Sequence, residues 1–347
     1  MDSVTLVQPD DWHLHLRDGA ALNSVVADSA SQFGRAAIMP NLNPPVTTVR
    51  QAIEYKERII SCLPQGSSFD PMMTLYLTRE THSSEISEAA ASRDIIGAKL
   101  YPAGATTNSD SGIQHVESVY PLFEEMEKYD LPLLIHGEVT DPDVDVFDRE
   151  QVFLDRHLRH IADKFQGLRI VLEHVTTKEG VDFIRSNRPG IAGTITAHHL
   201  LLNRNALLVG GIHPHVYCLP VLKREKHRAS LLEAATSRDS RFFLGTDSAP
   251  HPRGRKESAC GCAGCYTARN AMALYAMAFD SVHALDALES FASLHGPQFY
   301  KLPLNTGKIH LKREETLVPE YLPHGDDTLI PFLAGQRLSW SIESPPS

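Results

Sequence analysis

Short apolar runs alternate with longer amphipathic stretches along most of the chain, and the two patterns predict different elements. The apolar runs are rich in β-forming residues and are followed by polar turns, which predicts eight strands at 11–16, 36–40, 72–77, 97–100, 132–135, 169–172, 190–195 and 241–244. Between them apolar residues recur at steps of three and four, which predicts helices at 49–62, 84–93, 116–129, 149–165 and 222–237. Residues suited to capping a helix start precede several of these stretches: Thr48, Thr81, Asp148 and Thr177.

The order of these elements indicates the fold class. Eight successive strand-then-helix units predict an α/β fold with a parallel sheet, and eight strands close a TIM-type (β/α)8 barrel. An open doubly wound sheet is the alternative, but no Gly-x-Gly-x-x-Gly turn follows the first strand. After about Leu304 the pattern changes to short polar strands and prolines. We therefore expect a single barrel domain over residues 1–347, with a C-terminal appendage at about 305–347.

Composition and charge narrow the possible partners. The chain has 347 residues, 42% of them hydrophobic, so it can bury a full core without disulfides. A net charge of -10 argues against nucleic acid or an anionic membrane as the main partner, because both select basic surfaces. Five cysteines, an odd number, are typical of a reducing compartment. With no signal-peptide pattern and no apolar run of membrane-spanning length, we expect a cytoplasmic protein.

Two histidines in the first predicted strand have the spacing of a metal-binding pair. His13 and His15 are two residues apart, so on a strand both imidazoles point to the same side and can reach one ion. Further candidates lie at or near the carboxyl ends of the fourth, fifth, sixth and eighth predicted strands: Lys99, His136, His174 and Asp247. Barrel enzymes build their active sites on this face, so the pattern predicts a metal site there.

The ligand types favour zinc, and Lys99 needs a separate explanation. Imidazole nitrogens and carboxylate oxygens suit zinc, and a site left open to water can supply hydroxide near neutral pH. An ammonium group has no lone pair and would repel a cation, so Lys99 must be neutral or chemically changed at a metal site. Carboxylation by carbon dioxide would give a carbamate whose two oxygens could bridge two ions. A lysine paired with an acid is the alternative.

Six segments of the chain resemble the motifs of the dihydroorotases, in the shorter bacterial form of that amidohydrolase family. They follow the family's order over roughly residues 10 to 265: DWHLHLRD at 11–18, MPNLNPP at 39–45, GAKLYP at 97–102, IHGE at 135–138, LEH at 172–174 and GTDSAPH at 245–251. A lone His-x-His is a weak signal, whereas this combination is highly specific. The resemblance implies a homodimeric enzyme with two zinc ions per subunit.

The resemblance also implies a role for each candidate residue. One zinc ion would be held by His13, His15 and Asp247, the other by His136 and His174, with carboxylated Lys99 and a hydroxide bridging them. The substrate-binding residues would be Arg17, Asn41, Thr106, Thr107, Leu219, His251 and Ala263. Of these, Arg17, Asn41 and His251 would bind the substrate carboxylate, and the planar donor fork of Arg17 suits that task.

The implied reaction is the reversible cyclisation of N-carbamoyl-L-aspartate to L-dihydroorotate, in de novo pyrimidine (UMP) biosynthesis. In the hydrolytic direction the bridging hydroxide would attack the ring amide carbonyl, with Asp247 as general base and then general acid. The segment 102–112, rich in small polar residues, would be a mobile lid that brings Thr106 and Thr107 to the substrate. An ordinary solvated loop is the alternative for this segment.

Other functions and other metal sites stay open at this point. A hydantoinase, dihydropyrimidinase or allantoinase could use the same metals, although such relatives usually carry more β-structure than the about ten residues that precede the first strand here. A non-catalytic scaffold of the same family would be expected to have lost metal ligands. His213 and His215 repeat the His-x-His spacing, but their glycine- and proline-containing surroundings favour a loop. We interpret Cys260, Cys262 and Cys265 as reduced loop thiols rather than a zinc knuckle, and the basic residues at 253–256 as a solvated loop.

Overall fold

Eight parallel strands form one sheet that curves into a barrel. The structure is a computed structural model and describes residues 2–259 and 261–343. The barrel strands, numbered in chain order, are β2 (Asp10–Leu14), β3 (Arg35–Ile38), β4 (Asp70–Tyr76), β5 (Ile95–Leu100), β6 (Leu133–Ile135), β7 (Ile170–Leu172), β8 (Ile191–Ile195) and β9 (Phe242–Leu244). Each is hydrogen-bonded to the next in chain order. All eight predicted strands are therefore confirmed, with ends that differ by two residues or fewer.

The first and last barrel strands meet at the end where the candidate ligands lie. The backbone N–H of Asp247 donates to the carbonyl of His13 (2.8 Å), and that of His15 donates to the carbonyl of Ser248 (3.1 Å). The buried carboxylate of Asp11 accepts hydrogen bonds from the backbone N–H (2.8 Å) and hydroxyl (2.6 Å) of Thr246. These bonds close the barrel and fix the His13 strand against the Asp247 loop.

Helices surround the barrel. They are α1 (Ala20–Ala30), α2 (Val49–Ser61), α3 (Ser83–Ala91), α4 (Tyr120–Lys128), α5 (Arg149–Phe153), α6 (Arg159–Lys164), α7 (Lys178–Ser186), α8 (Ala197–Leu201), α9 (Asn205–Leu208), α10 (Glu225–Thr236), α11 (Arg253–Lys256), α12 (Ala271–Asp280) and α13 (His295–Tyr300). Short 3₁₀ turns span Val116–Val119, Pro214–Val216, Ala268–Asn270 and Leu285–Ala287, and π turns span Leu154–Leu158 and Ser290–Leu294. The predicted helix 149–165 is therefore α5 and α6 joined by a π turn.

Two of the four predicted helix caps are confirmed. The side chain of Thr48 accepts a hydrogen bond from the backbone of Gln51 at the start of α2, and Thr177 does the same at the start of α7. Asp148 precedes α5 but makes no side-chain cap bond. The prediction of Thr81 as a cap is wrong, because α3 begins two residues later. The Thr81 hydroxyl instead accepts a hydrogen bond from the backbone N–H of Thr78.

Side chains that point into the barrel fill its lower half with an apolar layer. Trp12 is fully buried there and stacks on Tyr300 of α13, with ring centroids 4.4 Å apart. A β-carbon at Gly296 would lie only 1.8 Å from the Trp12 indole nitrogen, so this crossing of α13 over the barrel requires glycine. This apolar layer fills one end of the barrel, so a polar site can form only at the other end, where the strands have their carboxyl ends.

Strands from the two ends of the chain share a separate antiparallel sheet, which the apolar pattern did not predict. Strand β1 (Ser3–Val7) pairs with β10 (Lys308–Lys312), and β10 pairs with β15 (Ser341–Ile342). The remaining short strands are β11 (Thr316–Leu317), β12 (Leu322–His324), β13 (Asp327–Leu329) and β14 (Arg337–Leu338). Among the described residues, no helix is long and apolar enough to cross a membrane.

Candidate metal centre

Three predicted ligands converge at the seam between β2 and β9. The Nε2 atoms of His13 and His15 lie 3.2 Å apart. An Asp247 carboxylate oxygen lies 3.4 Å from Nε2 of His13 and 3.1 Å from Nε2 of His15. All three side chains are buried, and Asp247 reaches this position from a left-handed backbone conformation with φ 46°. This trio has the geometry of a metal-binding group.

The next two histidines continue the site across the barrel mouth. The His174 ring lies 5.0 Å from that of His13 and 4.7 Å from that of His136, measured between centroids. The Nε2 atom of His136 lies 2.9 Å from a carboxylate oxygen of Glu138. His136 directly follows β6, and His174 lies two residues beyond the end of β7. The two histidines meet because β6 and β7 are adjacent strands of the barrel.

Lys99 lies in β5 below these histidines and is completely buried. Its Nζ atom contacts the carboxylate of Glu173 and lies 4.8 Å from the centroid of the Tyr101 ring. Burial lowers the pKa of Lys99 well below its ordinary value. The amine is therefore held close to the candidate ligands in an environment that favours its neutral form.

Glu173 is a member of the site that the sequence prediction missed. Its Oε1 atom lies 3.0 Å from Nδ1 of His13, while its other oxygen faces Lys99. The adjacent His174 has φ 41°, and this left-handed conformation breaks the strand alternation after β7, so consecutive side chains both enter the site. The only sequence signal was the position of Glu173 inside the LEH motif.

Burial keeps the histidines of the centre in the form that binds metal. It is the main cause that lowers the pKa of His13, His15 and His174, and neighbouring positive groups lower it further. A neutral imidazole has a free nitrogen lone pair. Together with the carboxylate oxygens, these nitrogens are the donor set that zinc prefers. The residues present therefore fit a zinc-type metal centre.

A cation and a histidine lie at the rim of the centre. The Nη2 atom of Arg17 lies 2.9 Å from Nε2 of His251, and its Nε donates to the carbonyl of Pro250 (3.2 Å). Burial, and then the charge of Arg17, lowers the pKa of His251 to about 2, so its ring is neutral. The Arg17 fork is thus held in place with a neutral partner and can receive an anion.

The loop that follows Lys99 folds over this rim. The side-chain amide of Asn41 donates to the carbonyl of Thr107 (3.0 Å), and the Asn108 amide donates to the carbonyl of Asn41 (3.0 Å). The Thr107 hydroxyl lies 3.4 Å from the carbonyl of Ala263, and Thr106 is bonded to Ser109 within the loop. Asn41, Thr106, Thr107 and Ala263 therefore lie on the same side of the barrel as the ligands.

The prediction that the segment 253–256 is a solvated loop is wrong for Lys256, and the segment forms the short helix α11. Its side chain is buried, with only 3% of the residue exposed. Its ammonium donates to the backbone carbonyls of Tyr217 (2.8 Å), Cys262 (2.8 Å) and Gly264 (2.7 Å). It thereby joins the loop that carries Leu219 to the loop that carries Ala263. The sequence did not predict this buried lysine, because Lys256 lies beside two exposed arginines and only its side chain turns inward.

The alternative metal ligands do not belong to the group formed by His13, His15 and Asp247. His213 is exposed and its Nε2 lies 3.2 Å from the carbonyl of Val209. His215 is paired with Glu257 (3.0 Å). Cys262 and Cys265 are free thiols, half-buried and buried respectively, whereas Cys260 lies outside the described residues.

Comparisons with known proteins place this geometry in a family. The amidohydrolase family profile matches residues 5–318. A dihydroorotase from Cupriavidus necator is 58% identical over 337 residues, which cover 97% of this chain and 98% of that protein.

Two solved structures are similar over their whole length. Dihydroorotase from Saccharomyces cerevisiae, crystallised with 5-fluoroorotic acid, has a TM-score of 0.91 at 34% identity and covers 100% of both chains. Dihydroorotase from Campylobacter jejuni has a TM-score of 0.90 at 33% identity, covering 99% of this chain and 98% of that one.

Proposed function

The chain belongs to the amidohydrolase family and, within it, to the dihydroorotases, and from this premise we propose how its metal centre works. It is a cyclic amide hydrolase that interconverts N-carbamoyl-L-aspartate and L-dihydroorotate, a step of pyrimidine biosynthesis. The observation that carries the proposal is the convergence of His13, His15 and Asp247, with Arg17 near enough that its charge lowers the pKa of His15. A metal centre and an anion-binding group lie close together, as a substrate with both an amide and a carboxylate requires.

Two zinc ions per subunit form the proposed centre. His13, His15 and Asp247 would hold one and His136 and His174 the other, and Lys99, as a carbamate, would be a ligand of both. Carbon dioxide adds to the neutral amine of Lys99, which forms an N–C bond and releases a proton. Glu173, Asp247 and the carbamate would place three negative charges at this site, which favours the binding of divalent cations.

The ring opens by attack on its amide carbonyl. Bound zinc supplies hydroxide at neutral pH and polarises the carbonyl oxygen. Asp247 accepts the proton of the attacking oxygen as the new C–O bond forms. Asp247 then gives this proton to the ring nitrogen as the C–N bond breaks. Ring closure runs the same steps in reverse.

Residues at the rim select a substrate that bears an acid group. Arg17, Asn41 and His251 bind its carboxylate, and the Arg17 fork supplies paired donors for it. Thr106 and Thr107 bind from the loop 102–112, which acts as a lid. Backbone groups of Leu219 and Ala263 bind the pyrimidine edge. The contacts of Asn41 with Thr107 and of Thr107 with Ala263 support this grouping.

A substrate panel tests this proposal against the other cyclic-amide hydrolases. Zinc-loaded protein is given L-dihydroorotate, dihydrouracil, hydantoin and allantoin, and ring opening of each is followed. We expect turnover of dihydroorotate alone, and Arg17→Met should raise its KM at least about 100-fold because a charge-assisted bidentate contact is lost. Turnover of a substrate without a carboxylate at a comparable rate would contradict the roles of Arg17, Asn41 and His251.

The chain is further proposed to act as a single domain in a homodimer. Pairing of β1 with β10 joins the N-terminal strand to the appendage at 305–347, which supports one domain. Leu208, Val209 and Ile212, within one five-residue segment, are exposed by 53%, 66% and 80% respectively, and exposed apolar patches favour a protein interface. Sedimentation velocity of the purified protein tests the dimer, and a monomer at micromolar concentration would contradict it.

A cytoplasmic location is proposed from the state of the cysteines. The four described cysteines, Cys62, Cys218, Cys262 and Cys265, are all free thiols. Free thiols persist in reducing compartments, which include the cytoplasm. Fractionation of cells that express the tagged chain tests this location.

A further inference from the structure

A second group of metal-ligand side chains lies next to the metal centre and has no part in the proposed reaction. His198 lies in α8, after β8, whereas Cys218 and Cys265 lie in the loops that follow β8 and β9. One ligand atom from each of these residues lies within 4.8 Å of the others. All three residues are buried, with 0%, 2% and 1% of their surface exposed.

His198 lacks the partner that a buried imidazole needs. Among the described residues, neither of its ring nitrogens has a hydrogen bond. The ring instead packs between the His199 ring, 4.5 Å away, and the Phe332 ring, 6.2 Å away, measured between centroids. An unsatisfied buried polar group destabilises the folded state, so an imidazole with two such nitrogens indicates a missing partner.

The two sulfur atoms are placed to provide that partner jointly with His198. The Cys218 thiol lies 3.3 Å from the carbonyl of Pro220. The hydrogen bond with Cys265, together with burial, raises the pKa of the Cys218 thiol well above its ordinary value. The charge of the buried Lys256 ammonium acts in the opposite direction but does not reverse the shift. This ammonium bonds to the carbonyls of Tyr217 and Gly264, each adjacent to one cysteine.

We propose that His198, Cys218 and Cys265 bind an additional metal ion of the zinc type, separate from the metal centre of the reaction. One imidazole and two sulfur ligands are a soft donor set that selects zinc over magnesium or calcium. On binding, both thiols release their protons to solvent and form metal–sulfur bonds, and one nitrogen of His198 gains a partner. His199 is not a further ligand, because its Nε2 donates to the carbonyl of Pro220 (3.0 Å), so water would complete the coordination.

The position of this ion gives it a structural task. Cys218 precedes Leu219 in the chain, and Cys265 follows Ala263 by two residues. An ion held by both cysteines would therefore join the two loops that we propose to bind the pyrimidine edge. Loss of the ion should raise the KM for dihydroorotate several-fold while kcat changes less, because the reacting groups stay in place.

Cobalt substitution separates this site from the reaction centre. The proposed ligands of the reaction centre include no sulfur, so a thiolate-to-cobalt charge-transfer band in the near ultraviolet reports only on a site with cysteine ligands. Protein saturated with Co²⁺ should show this band, and Cys218→Ser, Cys265→Ser and His198→Gln should each weaken or abolish it. Each variant should also bind one metal equivalent fewer per chain than the unchanged protein. Cys62→Ser is the matched control, since Cys62 is half-buried and belongs to α2's end rather than to the cluster.

Each outcome has one interpretation. A band that is lost in both serine variants and kept in Cys62→Ser supports the site. A band absent from the cobalt-saturated protein, or one that survives both serine substitutions, contradicts it, and in the latter case the loop thiols at 260 and 262 are its source. Turnover of dihydroorotate in the same samples reports on the proposed function independently, and near-ultraviolet circular dichroism checks that each variant is folded.

Discussion

The carboxylate of Glu173 lies 3.0 Å from Nδ1 of His13, on the side of the ring opposite the atom that faces Asp247. A negative charge beside Nδ1 favours the tautomer in which Nδ1 carries the proton and Nε2 keeps its lone pair for a metal. The same Glu173 faces Lys99 with its other oxygen. One buried acid therefore orients two of the proposed ligands.

Glu173→Gln should weaken metal binding without unfolding the barrel. The amide has the same shape as the carboxylate, but the negative charge beside Nδ1 of His13, which strengthens this ligand, is lost. We expect zinc affinity to fall about 10–100-fold, the usual effect of removing such a partner. Competition with a fluorescent chelator measures it, with the exposed Glu124→Gln as control. Equal zinc affinity in the two variants would show that Glu173 has no role in ligation.

Lys99→Ala should lose zinc and activity together. Alanine cannot form a carbamate, so the proposed bridge between the ions disappears. Short carboxylic acids such as acetate should restore part of both, since they can enter the space left by the side chain and offer two oxygens. Zinc content and dihydroorotate turnover are measured with and without acetate. Full metal content in the unrescued variant would contradict a bridging Lys99.

Asp247→Asn should nearly abolish turnover. The amide cannot accept and return a proton, so we expect kcat to fall about 10²–10⁴-fold, the range for loss of a general acid–base group. Steady-state kinetics measure it beside Asp286→Asn, which removes an exposed carboxylate paired with Arg238. A near-normal kcat for Asp247→Asn at full zinc content would remove it as the proton carrier.

Lys256→Met should impair substrate binding more than chemistry. The substitution keeps an unbranched side chain but removes three hydrogen bonds to the loops of Leu219 and Ala263. We expect the KM for dihydroorotate to rise about 10-fold with a smaller change in kcat, since the metal ligands are not touched. Arg255→Met, one residue away and exposed, is the control. A fall in kcat alone would contradict a positioning role.

His251 should make the protein less stable in acid. Its pKa is lowered from 6.5 to about 2 in the folded state, so the unfolded chain binds its proton at higher pH. The stabilisation is present above about pH 6.5 and is lost as the pH falls toward about 2. Between pH 7.5 and 5.5 this linkage lowers the free energy of unfolding by about 1.4 kcal/mol, and His251→Gln should not show this decrease. Urea unfolding of both proteins at these two pH values, at equal zinc content, measures the difference, and parallel pH dependences would contradict it.

The barrel was predictable because its determinants are local. Strands such as β6 and β7 are buried on both faces and appear as uninterrupted apolar runs, so their ends could be located from the letters alone. His136 directly follows the first of these runs, and His174 lies two residues beyond the end of the second. Once the barrel is assumed, chain order alone brings these side chains to one face.

The parts that were missed depend on contacts distant in sequence. Strand β1 is short and has a mixed pattern, and its partner β10 is about 300 residues away, so nothing local marks the pair. Lys256 is charged and lies among basic residues, yet three distant carbonyls hold it inside. Likewise Cys218 meets Cys265 only because the loops after β8 and β9 are neighbours in the barrel.

The most direct test of the central claim is the rate of L-dihydroorotate ring opening before chelation, after chelation and after zinc is added back. The account predicts rapid ring opening, loss of at least about 100-fold of the rate on removal of metal, and recovery with zinc. Formation of N-carbamoyl-L-aspartate should match the dihydroorotate consumed. An unchanged rate after complete metal removal, or no ring opening by the zinc-loaded protein, would contradict the account.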